Sequence, residues 1–156
     1  MDKKEWSQIR HNADINVGLL HAYYIEHAYP RHSHDYYVIS LIERGNQSFT
    51  HNGIKHITLP GGMILINPGE VHTGEAADKA GFELYSLYPT ASHMEMAVFE
   101  LTGSHLAMPI FKEVRVNNLR TRNSILSLHN AMSQYTSRLE RESRFTWTLE
   151  IGRAHV

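Results

Sequence analysis

The 156-residue chain has no cysteine. That excludes disulfides and thiolate metal sites, and it fits an expected cytoplasmic location. Long apolar runs are also missing. The longest, such as Met63-Ile64-Leu65-Ile66, fall far short of the roughly 20 residues that cross a bilayer, so no membrane partner is expected. No apolar stretch follows Met1-Asp2-Lys3-Lys4-Glu5, so no signal peptide is visible. Net charge is nearly absent too. A formal −1 gives no bulk electrostatic reason to bind nucleic acid. Internal repeats, low-complexity segments and helix-turn-helix patterns are not seen. The charge that exists is unevenly placed: the balance is −5 up to Phe111 and +4 from Lys112 onward. The second half reads as a solvated helix face before it reads as a binding patch.

What is present is a succession of short strand patterns. Residues 1–14 read as a polar lead-in, and Ile15, Val17 and Leu19 open an alternating run that continues through Ala22-Tyr23-Tyr24-Ile25. Tyr36 to Glu43 is β-branched and aromatic, and Gly45-Asn46 ends it. Gln47–His51, Asn52-Gly53 and Ile54–Leu59 make a hairpin signal, because Asn-Gly supplies the two positive-φ residues of a type I′ turn. Met63–Asn67 and Phe82–Tyr88 are further strands, with Leu84 among the buried positions. Strands this short and close, with 42% hydrophobic and 20% charged residues, indicate a barrel or sandwich.

The second half changes period. Ser92-His93-Met94-Glu95 predicts a capped helix running to Leu101, with Gly103 past its end. Ile110–Val116 suggests a last strand. From Asn118 the pattern is helical, and Ile125, Leu128, Met132, Tyr135 and Leu139 are spaced three, four, three, four. This a/d-type seam predicts one helix from about Ser124 to Arg141 carrying a homodimer contact. The competing reading packs the same stripe on the chain's own barrel.

The chemistry-bearing residues are His32, His34 and His72. Alternation places His32, His34, Tyr36, Val38 and Ser40 on one strand face, so two imidazoles enter the barrel mouth beside Tyr36, and His72 can meet them from the Pro68-Gly69 turn. Three neutral imidazoles can hold a metal. The carboxylate that would complete an iron or manganese site is missing: Val38 and Ile39 stand at its spacing, Glu43 lies too far along, and the direction of Glu70 is open. The blander readings are a hydrogen-bonded rim or polar anchors for an organic ligand. The expectation is no metal, no cofactor and no catalytic residue, with His32, His34, Tyr36 and His72 binding a small molecule.

These residues carry a family likeness. His32-Ser33-His34-Asp35-Tyr36-Tyr37, the Glu43-Arg44-Gly45 strand end, the run from Gly62 through Pro68-Gly69-Glu70-Val71-His72-Thr73, and the helix from Asn118 resemble the N-terminal ligand-binding and dimerisation domain of AraC-type transcriptional regulators. The resemblance covers roughly residues 15–145. It implies a mostly β, cupin-like jelly-roll barrel that senses a small molecule, often a sugar, followed by dimerising helices and a DNA-binding domain with two helix-turn-helix motifs. The expected organisation is a sensing barrel with its N-terminal arm over 1–116 and dimerisation or linker helices over 117–150, the second truncated. Residues 151–156 are expected to be a non-native tail, because Ile151-Gly152-Arg153-Ala154-His155-Val156 matches one reading frame of a common sequencing-adapter oligonucleotide. DNA would then be reached only through the absent domain. The alternative is a metal-dependent cupin enzyme, an isomerase or dioxygenase, using His32, His34 and His72.

Overall fold

The computed structural model describes residues 4–105, 108–134 and 136–153, with side chains described as far as Leu149. In chain order the elements are β1 (Trp6–Asn12), β2 (Val17–Tyr24), β3 (Tyr29–His32), β4 (Val38–Gly45), β5 (Gln47–His51), β6 (Ile54–Thr58), β7 (Met63–Ile66), β8 (His72–Ala76) and β9 (Phe82–Tyr88). Then follow α1 (Ala91–Thr102), β10 (Arg115–Val116), α2 (Leu119–Ser133) and α3 (Arg138–Arg153). The strands form two antiparallel sheets, one ordered β1-β2-β9-β4-β7-β10 and the other β3-β8-β5-β6. Together they make a cupin-like jelly roll in which the sheets face each other without closing into a barrel.

Apart from its edge strand β1, the six-stranded sheet is covered on both faces, which explains its near-continuous apolar strands. Along β4, Ile39 and Leu41 pack with Tyr37 toward the helices, while Val38 and Ile42 face the other sheet. β7 divides the same way, with Met63 and Leu65 on the helix side and Ile64 and Ile66 between the sheets. Two cores result. One lies under α1, α2 and α3; the other lies between the sheets. The Asn52-Gly53 turn has φ values of 49° and 82°, the paired positive φ that a type I′ hairpin requires. Gly45 (φ 73°) is indispensable for a second reason: a Cβ there would stand 2.0 Å from the carbonyl oxygen of Gly81.

Several local expectations shift. Trp6–Asn12, read as a polar lead-in, is an edge strand paired to β2. It shows no alternation because neither of its faces is buried. The cap of α1 is Thr90, not Ser92: the Thr90 hydroxyl accepts from His93 N–H, and Thr90 N–H donates to the His93 ring. Gly103 closes the helix in the left-handed conformation as expected. The strand over Ile110–Val116 shrinks to Arg115–Val116. The helix predicted from Ser124 to Arg141 is two helices. Asn118 caps α2 by accepting from Thr121 N–H, and α2 stops at Ser133. Ser137 then accepts from Glu140 N–H and starts α3.

That break redistributes the predicted seam. Ile125 and Leu128 are fully buried in the chain's own core with Phe145 and Leu149 of α3, so they cannot face a partner in this fold. This corrects their assignment to a dimer interface. Met132 packs partly against the same core, Leu139 is 73% exposed, and Tyr135 lies outside the described residues. No helix among the described residues is long and apolar enough to cross a membrane.

Candidate functional site

Between the sheets lies a cavity of about 130 Å³. His32, His34, Tyr36 and His72 all line it, as do Val38 and Ser40. The alternation read along residues 32–40 therefore holds in space, although the stretch is not one strand. His32 ends β3 in one sheet, Val38 begins β4 in the other, and residues 33–37 cross between them with the same faces turned inward. His72 is not a turn residue. It opens β8 directly opposite His32 in the β3–β8 register. Tyr29, Gln47, Phe49 and Tyr88 complete a lining that sequence reasoning only partly found. Tyr88 was legible by the period-two spacing Leu84, Ser86, Tyr88. Tyr29 was not, because β3 is short and irregular. Tyr85 points to the helix side, where it stacks on His21 at 3.9 Å and meets His129 edge-on.

The three imidazoles are set alike. His32 Nδ1 lies 2.6 Å from the Pro30 carbonyl oxygen, His34 Nδ1 3.1 Å from that of Tyr36, and His72 Nδ1 2.9 Å from that of Glu70. A carbonyl only accepts, so each Nδ1 carries the proton and each Nε2 keeps a lone pair. Burial is the main cause that pushes the His72 ring down to about 4 and lowers that of His34, so both are neutral at physiological pH. Burial likewise raises the phenols of Tyr29 and Tyr88, the latter to about 12. Tyr36 stacks on His34 at 4.0 Å and 5°. Ser40 and Ser86, paired across β4 and β9, share a hydrogen bond of 2.6 Å at the cavity wall. On its other side the Ser86 carbonyl accepts from buried His129 of α2 at 3.0 Å, so one residue touches both the cavity and the helical layer.

The open question of Glu70 resolves away from the site. Its carboxylate takes His51 Nε2 at 2.8 Å and Asn67 N–H at 2.7 Å. Glu43 pairs with Arg122 of α2 at 2.7 Å, and Arg31 is exposed outside the lining. Among the described residues, His32, His34 and His72 form a group able to hold a metal, with donor atoms within 4.8 Å of one another. The group brings no carboxylate, so an ion held there would have a histidine-only protein set.

The family model described as AraC-like ligand binding domain matches residues 15–149 of the chain. The chain belongs to the AraC-like ligand-binding domain family. A relative of Bacillus subtilis, described as an uncharacterized HTH-type transcriptional regulator, YbfI, is 33% identical over 123 residues. The match takes in 78% of this chain and 44% of that protein, so the chain spans less than half the length of this relative. Among solved structures, the AraC-like transcriptional activator CuxR superposes with a TM-score of 0.70 at 12% identity, over 97% of this chain and 55% of CuxR. An RmlC-like cupin family protein with a double-stranded β-helix fold from Methanocaldococcus jannaschii gives 0.51 at 15% identity, over 57% of this chain and 83% of its own. At these identities the two structures speak to fold alone. The cupin overlays little more than half of the chain, whereas CuxR overlays nearly all of it. The family match and the regulator relative make this a regulatory ligand-binding domain.

Proposed function

We propose that this domain senses a small molecule for a DNA-binding transcription regulator, the effector occupying the cavity between the sheets against His32, His34, Tyr36 and His72. The observation that carries the reading is three inward imidazoles with fixed tautomers in a cavity that holds no charged side chain. Such a lining binds and orients. It offers neither a carboxylate nor a cation, and the reading as a module that is not an enzyme rests on the family. Binding is passed on through the Ser86–His129 contact and the Glu43–Arg122 pair to α2, and from the helical layer to helix-turn-helix motifs outside this stretch. The regulator works as a homodimer through that layer, with exposed Leu139 in the contact.

The test is a DNA mobility shift on the upstream region at near-physiological salt. The full-length regulator should give a discrete complex and these 156 residues alone should not, since a few dispersed arginines support only weak, salt-sensitive attachment. A sequence-dependent complex from this stretch alone overturns the division of labour. The competing reading, a metal-dependent cupin enzyme, has the histidine triad in its favour. It predicts tight one-to-one metal that survives dialysis in protein made without a histidine tag, and a melting temperature that falls with chelator. Neither is expected.

A further inference from the structure

The cavity states what its ligand must supply. Each of the three Nε2 atoms is an acceptor, because each Nδ1–H is already given to a carbonyl. Gln47 adds a fourth acceptor. It is 6% exposed, it lines the cavity, and its Oε1 is buried with no hydrogen-bond partner among the described residues. A native fold leaves few such atoms, and one in a cavity wall marks a missing partner. Ser40 and Ser86 bond to each other, which uses one of their two hydroxyl protons. At the histidine end and at Gln47 the demand is for donors.

Charge and size narrow the class. No Asp, Glu, Lys or Arg lines the cavity, so neither an acid nor an ammonium compound would find a counter-charge on burial. The volume, about 130 Å³, is on the scale of the about 150 Å³ apolar cavity that accepts benzene. That is one ring, not two. The wall away from the histidines is Leu20, Ile42, Phe49, Ile64, Phe82 and Leu84. A sugar with hydroxyls all round its ring would leave several of them unpaired against this wall. An aromatic ring would not.

We infer that the effector is a neutral single-ring aromatic with adjacent hydroxyl groups, a dihydroxybenzene, whose hydroxyls donate to the histidine triad while its ring lies against the apolar wall. The inference rests on the sensing reading and sharpens it. No bond is made or broken. The ligand exchanges water for imidazole acceptors.

A binding panel on the untagged, metal-free chain decides it, read by titration calorimetry and thermal shift with catechol, phenol, D-xylose, benzoate and Zn²⁺. Catechol should bind saturably and raise the melting temperature. Phenol, with one donor fewer, should bind about tenfold more weakly, the usual effect of losing one hydrogen bond to a buried acceptor. D-xylose and benzoate should not saturate in the millimolar range. His72→Ala and His34→Ala should each weaken catechol about tenfold or more. The second variant keeps the test alive where the first disturbs packing. Xylose or benzoate binding more tightly than catechol, with dependence on His34, overturns the ligand class and leaves the sensor intact. The class also falls if catechol fails to bind folded protein. One-to-one Zn²⁺ with no organic ligand overturns both readings.

Discussion

The two faces of the six-stranded sheet come from the same strands, yet they are built to opposite rules. The helix face carries Leu19, Ile39, Leu41, Leu65 and Leu87, packed against Ile125, Leu128 and Phe145. The cavity face carries Leu20, Val38, Ile42 and Leu84 interrupted by Ser40, Ser86 and the approaching histidines, and it encloses a hollow. A close-packed face is worth most to stability. A face with a hollow and unmet acceptors gives some of that up for recognition. Stability and binding therefore sit one residue apart along each strand.

Adjacent positions on β4 put the contrast to the sharpest test. Ile39→Ala and Leu128→Ala remove fully buried side chains from the helix-side core and should each cost about 2–5 kcal/mol, enough to unfold much of a marginal domain. Ser40→Ala combined with Ser86→Ala removes both partners of one hydrogen bond and should change stability little. Denaturant midpoints of the three proteins check this, and equal losses on the two faces would erase the distinction. Leu128→Glu should give unfolded or aggregated chain by size-exclusion chromatography, whereas a folded monomer would restore Leu128 to an interface.

Next in size are the binding effects. His34→Ala and Tyr36→Phe should weaken the effector by about 1–3 kcal/mol, roughly ten- to a hundredfold, with circular dichroism and melting temperature close to the parent. A loss of fold with either variant would move those residues from the recognition side to the packing side.

Acid should act on both faces at once, through His72 in the cavity and His129 beneath α2. Burial pushes each ring down to about 4, below the about 6.5 of an unfolded histidine. The stabilisation from keeping them neutral is complete above pH 6.5 and is lost as pH falls from there toward 4. The melting temperature should decline over that window. His129→Gln, which keeps a donor for the Ser86 carbonyl, should flatten part of the decline, and an unchanged slope would remove His129 from the account. The smallest effect is expected at the surface, where Leu139→Glu should leave folding unchanged and weaken self-association by sedimentation velocity.

Much of this was legible beforehand. Hairpin chemistry at Asn52-Gly53 and the helix start at Asn118 were readable because a local rule decides each. The inward set His32, His34 and Tyr36 was readable because side chains alternate along extended backbone whether or not it is paired. The edge strand β1 was not, since a strand exposed on both faces leaves no period. The helix break hid behind a seam whose spacing ran on unbroken, although Ser137-Arg138-Leu139-Glu140 is itself a capping signature.

By itself the sequence determined the jelly-roll class, the family and the residues that point inward, because turn chemistry and alternation are properties of neighbours along the chain. Only the tertiary structure decided which face each inward residue serves, where His72 stands, that Glu70 turns to His51, and that Ile125 and Leu128 belong to the core. Those outcomes depend on register between strands far apart in sequence and on which layer reaches a surface first. No local pattern encodes either one.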